Sequence, residues 1–362
     1  MAIVPVKKSL DFFELYTRFI KDSTSGKRLQ VNGKRISPGT IKSYSGTLQL
    51  LQKFCSVKEF ELRIKPVKYL AKRELETEKN YWDKFYKRFT GYLYTDCGHF
   101  DNYVGLNIKN IRTFFGYLQK QLLLDTGNFH KQLYVRKEEI PIITLLPEEL
   151  NFFIYDQPFE ESLSGKLRRV KDVFVFGCTV ALRFSDLLAL KKTNLRLMNN
   201  DCYLFTRSKK TTVDTQIQLP DYAVAIINKY KKQKGGFLLP RFNIVNLNKY
   251  IKQLAEAAKL TQPVPKTRGR RGVTKEVSKK GEEKKAVYRF CDLVSTHTMR
   301  RTAITTMLCL GMPEHIVRKI SGHSPMSKEF FRYVALAQSY QDKETTKMFE
   351  KLKQKVQQTL GW

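Results

Sequence analysis

Ser295-Thr296-His297-Thr298-Met299-Arg300-Arg301-Thr302 is followed by Ile320-Ser321-Gly322-His323-Ser324, and Tyr333 comes ten residues after His323. His297 and Arg300 are three apart, so a helix through them places both side chains on one face. Ser295 or Thr296 can cap that helix and aim its positive end at an anion. Upstream, Gly177-Cys178-Thr179-Val180-Ala181-Leu182-Arg183-Phe184-Ser185-Asp186-Leu187-Leu188 reads as the end of a buried helix, an arginine, and the opening of the next helix. Two arginines, two histidines and a tyrosine in this order are a set suited to an anionic phosphorus centre. Arginine stays charged at any working pH, and its planar fork grips two phosphate oxygens.

The rest of the composition agrees with an anionic partner. The chain has 362 residues with 66 Lys+Arg against 34 Asp+Glu, a formal net charge of +32. A balance this basic points first to nucleic acid. At 42% hydrophobic and 12% aromatic residues the chain is globular, with length for two domains. No run of 18 apolar residues predicts a membrane span, and the N-terminal Met1 to Lys8 lacks a signal-peptide core. Six scattered cysteines without a C-x-x-C pair predict free thiols in a reducing cytoplasm, and Cys97 with His99 is too small a set for structural zinc.

The first third has helical periodicity. Ser9 is placed to cap a helix carrying Phe12, Phe13, Tyr16, Phe19 and Ile20. Ser37-Pro38 is a helix start followed by Ile41, Tyr44, Leu48, Leu51 and Phe54. Further stripes run through Tyr81, Phe85, Phe89 and Tyr92, and through Ile111, Phe114, Phe115, Leu118 and Leu122. These predict a four-helix all-α domain over residues 1–130. Residues 131–145 then read as a linker and 146–362 as a mixed α+β domain. Pro147 opens a helix, Val170 to Val180 is a buried helix, and strands at 203–206 and 215–220 flank a polar turn as a hairpin. From Gln262 to Arg289 the chain holds ten basic residues against three acidic ones, with Pro263, Pro265 and three glycines. That composition predicts a mobile, solvated loop that orders on DNA.

The arginine box, hairpin, His-x-x-Arg, Gly-His and trailing Tyr resemble, in order and spacing, the tyrosine recombinase (phage integrase) family. Specific motifs cover about residues 140–350. The basic segment 262–289 is similar to a β-insertion of integrases from conjugative transposons and related bacterial elements. The resemblance implies an all-α, SAM-like core-binding domain followed by a catalytic domain of the DNA breaking-rejoining fold. It implies a site-specific recombinase that cuts and rejoins strands through a 3′-phosphotyrosine, for integration and excision of a mobile element. Alternatives are a type IB topoisomerase-like enzyme and a non-catalytic DNA-binding protein on the same fold.

Carried over residue by residue, Arg183 and Arg300 become the phosphate clamp. His297 and His323 become hydrogen-bonding partners of the non-bridging oxygens and the nucleophile, and Tyr333 becomes the nucleophile. The family's lysine lies in the hairpin turn, here Ser208-Lys209-Lys210-Thr211-Thr212, so Lys210 is assigned, with Lys209 as its alternative. His323 and Tyr333 are ten apart where the family usually has nine, which leaves Tyr340 as a second candidate. DNA contacts are expected from Lys209, Lys266, Arg268, Arg270, Arg271, Lys34, Arg35 and Lys42. No metal or other cofactor is implied. The partners implied are double-stranded DNA, clamped by both domains, three further protomers in a tetramer on two duplexes, and accessory DNA-bending proteins. Free in solution the chain is expected to be monomeric or weakly associated. The segment Ser339 to Trp362 reads as a helix with Met348, Phe349, Leu352, Val356 and Leu360 on one side, packing on a neighbouring protomer or on its own domain.

Overall fold

The computed structural model describes residues 9–208, 213–278 and 287–360. The chain divides into two compact units, one of residues up to Ile140 with Lys266–Val277, the other of Pro141–Pro265 and Ser278 onward.

The first unit is a helical bundle with an aromatic core. Strand β1 (Leu10–Asp11) pairs antiparallel with β2 (Arg63–Ile64). Helix α1 (Phe12–Ser25) starts at Asp11, whose carboxylate accepts from the Glu14 amide at 2.6 Å. The cap is therefore Asp11 rather than Ser9, because Leu10 and Asp11 are paired as a strand and the helix opens only at Phe12, three residues after Ser9. Helix α2 (Pro38–Lys58) is capped by Ser37 as expected, its Oγ accepting from Thr40 N at 3.2 Å. Helices α3 (Lys72–Thr95) and α4 (Asp101–Lys120) complete the bundle. Phe12, Phe19, Phe54, Trp82, Phe85, Phe89, Phe114 and Phe115 are all buried between them. The chain after α4 does not leave the bundle at once. His130 lies flat on Phe115, ring centroids 5.1 Å apart, and Leu133 is buried in the same core. Gly105 of α4 permits the strap's closest approach, since a Cβ there would fall 1.9 Å from the Arg136 carbonyl oxygen.

The expectation of a mobile loop after Gln262 is corrected for the residues described. Pro263–Val264 (β6) pairs with Tyr288–Arg289 (β9), and Thr267–Arg270 (β7) pairs with Val273–Glu276 (β8) as a hairpin. The β7–β8 hairpin belongs to the helical unit. Glu138 accepts from Arg268 at 2.8 and 3.0 Å and from Gly269 N. The Asp101 carboxylate accepts from the Arg271 and Gly272 amides, each at 2.8 Å. Arg268 also lies over the Phe100 ring, and Arg270 donates to the Tyr94 carbonyl. Composition misleads here because two buried carboxylates far away in sequence satisfy the hairpin's amides and part of its charge.

The second unit surrounds the buried helix α7 (Gly165–Val180). Helices α5 (Pro147–Tyr155) and α6 (Gln157–Ser162) precede it. After α8 (Phe184–Leu187) comes an antiparallel sheet of β3 (Leu195–Met198), β4 (Asp201–Arg207) and β5 (Asp214–Gln218), in that order. The expected hairpin is its β4–β5 half, in register Arg207↔Asp214 through Tyr203↔Gln218. Helices α9 (Asp221–Lys229), α10 (Ile244–Ala257) and α11 (Phe290–Leu293) follow, then α12 (Thr296–Cys309), α13 (Glu314–Ser321) and α14 (Lys328–Leu360). Helix α12 lies close against α7 at Gly177, where a Cβ would fall 2.6 Å from Met299 Sδ. No helix among the described residues is long and apolar enough to cross a membrane.

Candidate active site

Four segments of the second unit converge here. Helix α7 ends in Ala181, fully buried at φ 54°, ψ 19°, a left-handed conformation that non-glycine residues seldom adopt. That turn ends the helix two residues before Arg183, which sits in extended backbone before α8. It also points the Ala181 carbonyl at Arg300, whose Nη1 donates to it at 2.7 Å. Arg300 Nη2 donates to the Ser321 carbonyl, also at 2.7 Å. Both acceptors lie at helix C-termini, the negative ends of α7 and α13. Burial, then the nearby Arg183, lower the Arg300 pKa to about 10, with Tyr333 and Asp186 opposing. It therefore remains a cation near neutral pH, next to a second cation. Arg183 Nη1 donates to Ser208 Oγ at 3.0 Å, at the end of β4.

Gly322, left-handed at φ 65°, ends α13 and turns His323 toward the arginines. Arg300 Nη2 lies 3.5 Å from both ring nitrogens, and Ser321 Oγ lies 2.8 Å from Nδ1. Burial, with Arg300, Arg183 and Arg318 around it, lowers the His323 pKa to about 4. The imidazole is thus neutral near pH 7, as a ring that receives an arginine N–H must be. Its centroid is 6.0 Å from that of Tyr333. Tyr333, on the first turns of α14, is 4% exposed among Ala181, Ala303, Ile304, Val317, Phe330 and Ala337. Burial raises its pKa, while Arg301 and Arg300 act in the other direction.

The structure thus brings Arg183, Arg300, His323 and Tyr333 together. His297 is solvent-exposed one helical turn before Arg300, and its pKa is lowered by desolvation and by Arg301 and Arg300. Ser295 takes the N-cap position of α12, but its side chain makes no cap hydrogen bond. Thr296 N donates to Asn248 Oδ1 at 2.8 Å, and Thr298 N donates to the Ser295 carbonyl at 2.9 Å. The ten residues from His323 to Tyr333 divide into a turn over 324–327 and the start of α14. Arg318 secures that turn, donating to the Ser324 and Pro325 carbonyls at 3.3 and 3.2 Å while lying 3.9 Å over the Phe330 ring centroid. Tyr340 is engaged elsewhere, its hydroxyl donating to Glu148 at 2.5 Å. Lys209 and Lys210 lie outside the described residues.

Of the residues expected to meet DNA, Lys34, Arg35 and Lys42 are exposed on the helical unit. Lys266, Arg268 and Arg270 are half-buried on the hairpin, while Arg271 is exposed and also donates to Thr95 Oγ1 at 3.1 Å. Arg301, Arg318, Asp186 and Ser208 also lie around this cluster, and the sequence does not single them out. Arg301 and Asp186 stand inside the quoted motifs, next to Arg300 and three after Arg183. For Ser208, whose partner is 25 residues away, spacing offered no signal.

Residues 166–339 match the phage integrase family. Three solved structures show the fold. XerH site-specific recombinase bound to palindromic difH substrate, post-cleavage, has TM-score 0.62 at 14% identity, covering 96% of this chain and 98% of that one. A lambda integrase dimer bound to a COC′ core site has TM-score 0.58 at 14% identity, covering 91% and 78%. The Tn1549 transposon integrase in complex with transposon right end DNA has TM-score 0.56 at 14% identity, covering 90% and 94%. No curated protein matches the chain in sequence. With its arginine box, His-x-x-Arg, Gly-His and Tyr in the family's order, the stretch 166–339 is a tyrosine recombinase domain of the phage integrase type. It is an enzyme, a site-specific DNA strand transferase.

Proposed function

We propose that Arg183 and Arg300 hold the scissile phosphate and that Tyr333 attacks it. The observation that carries this reading is two guanidiniums from separate elements, set beside a neutral imidazole and a phenol. The two cations repel each other, and an anion between them relieves that repulsion. This is the preorganised charge that phosphoryl transfer requires. Tyr333 Oη forms the bond to phosphorus as the bond to the 5′-oxygen breaks, leaving a 3′-phosphotyrosine and a free 5′-hydroxyl. His323, neutral, is able to accept the phenolic proton, and His297 bonds a non-bridging oxygen. Lys210, or Lys209 as its alternative, protonates the leaving 5′-oxygen. Attack by the 5′-hydroxyl of a partner strand reverses the step and restores the phosphodiester.

On this reading the helical unit is the core-binding domain, and the second unit is catalytic. The partner is duplex DNA, gripped largely through its phosphates by surface cations that include Lys34, Arg35 and Lys42. Four protomers on two duplexes, in the cytoplasm, integrate and excise a mobile element. The relatives support this: one solved lambda integrase is a tetramer bound to a Holliday junction, and the Tn1549 integrase is bound to its transposon's end. The test is a nicked suicide duplex from the ends of the element that encodes the chain. A covalent adduct with the wild type and none with Tyr333→Phe is the result expected. Relaxation of supercoils without exchange between duplexes would fit a type IB topoisomerase instead.

A further inference from the structure

Arg300 is anchored by two carbonyls, whereas Arg183 has to be held in place against the repulsion of Arg300. Ser208 is 8% exposed, and its Oγ accepts from Arg183 Nη1 at 3.0 Å. The hydroxyl has one proton to give. Asp186 Oδ2 lies on that side at 3.5 Å, a long contact that nonetheless orients the lone pairs toward Arg183. Ser208 N donates to the Val213 carbonyl at 3.0 Å, so the same residue closes the base of the β4–β5 turn. The next two residues in the sequence are Lys209 and Lys210.

We infer that Ser208 is a positioning residue for strand cleavage: its hydroxyl holds the Arg183 guanidinium in the phosphate site and ties it to the base of the β4–β5 turn. The inference rests on the reading of Arg183 as a phosphate clamp. Ser208 does not touch the phosphate. It keeps one cation of a mutually repelling pair from swinging out before DNA arrives. A serine suits the position because it accepts from the arginine without neutralising it. A carboxylate there would pair with Arg183 and compete with the phosphate.

The experiment measures single-turnover cleavage of a nicked suicide duplex, alongside DNA affinity, for Ser208→Ala, Ser208→Thr, Arg183→Ala and the double variant. Ser208→Ala is expected to slow cleavage on the order of 10- to 100-fold, the scale of misplacing a catalytic group by about 1 Å. DNA affinity should change little. Ser208→Thr, which keeps the hydroxyl, should cleave near the wild-type rate. The double variant should be no slower than Arg183→Ala alone, because Ser208 acts through the arginine. Ser208→Cys, a weaker acceptor of similar size, should repeat the Ala defect if Ser208→Ala folds poorly. Wild-type cleavage by both Ser208→Ala and Ser208→Cys, with Arg183→Ala impaired, overturns the inference and leaves the reading of the site intact. A double variant slowed by the product of the two single effects also overturns it, since Ser208 would then act independently. Wild-type cleavage by Arg183→Ala overturns the reading of the site, and the inference with it.

Discussion

Replacing Asp101 by Asn tests whether the β7–β8 hairpin is held by buried charge. Asp101 is 2% exposed. Its Oδ1 accepts from Tyr94 Oη at 2.5 Å and from Arg271 N at 2.8 Å, and its Oδ2 accepts from Gly272 N at 2.8 Å. Asparagine has nearly the same shape but only one acceptor atom. With its oxygen kept toward Tyr94 and Arg271, its NH₂ faces the Gly272 N–H, donor against donor. Loss of one hydrogen bond to a charged acceptor costs about 1.5–3 kcal/mol. The other two bonds lose their charge assistance, about 1 kcal/mol between them, partly offset because no carboxylate is left to desolvate. The net is about 3 kcal/mol, roughly a 100-fold larger population of the opened hairpin. Hydrogen exchange of the peptide 266–277 should speed up by about that factor, and protease cleavage there should rise with it. The bundle, with its separate aromatic core, should keep cooperative unfolding. Lys275→Ala, at an exposed position of the same hairpin, should leave exchange unchanged. Unchanged exchange in 266–277 for the Asn variant would refute the reasoning. So would loss of the bundle's cooperative transition, which would assign Asp101 to the helices instead.

Tyr333→Phe should bind DNA with wild-type affinity and form no covalent adduct in a suicide-substrate gel, while Tyr340→Phe, which loses only the bond to Glu148, should still form one. Arg300→Lys should slow cleavage by about 100-fold or more in single-turnover kinetics, since one ammonium cannot bond both helix-end carbonyls and a phosphate as the planar fork does. For pH, the folded His323 has a pKa near 4 against 6.5 for the free side chain. The unfolded chain therefore binds the proton first, and this stability is present above pH 6.5 and lost as pH falls toward 4. At this half-buried site the loss should be about 2 kcal/mol after allowance for solvent screening, and chemical denaturation of His323→Gln at pH 7 and pH 4.5 should show a shallower decline than wild type. Buried His130, also held near pKa 4 by burial with Lys131 and Arg112 nearby, adds a slope of the same sign in the helical unit.

What the sequence made legible follows from the range of the forces involved. His297 and Arg300 lie one helical turn apart, and Ser37-Pro38 caps its own helix, so local geometry alone sets their relations. The aromatic stripes of α1 to α4 are similarly periodic, and burying them requires only that the helices meet. The β7–β8 hairpin depends on Asp101 and Glu138, more than a hundred residues away. In sequence both carboxylates look like solvated surface, and only the folded bundle turns them into acceptors for backbone amides. The same reasoning explains why the sequence points to Arg183 but not to Ser208. An arginine after an apolar helix within an ordered series of motifs can be recognised in the linear chain. A serine that holds it becomes visible only when β4 brings residue 208 back to residue 183. The bond at the α12 N-terminus has the same origin, because Asn248 reaches Thr296 N from α10. On the proposed reading, positive charge at the phosphate site comes chiefly from side chains, Arg183 and Arg300, rather than from a helix end. Arginine-to-lysine substitutions should consequently lower cleavage far more than loss of the Thr298 hydroxyl, which accepts from Ser295 N at the start of α12.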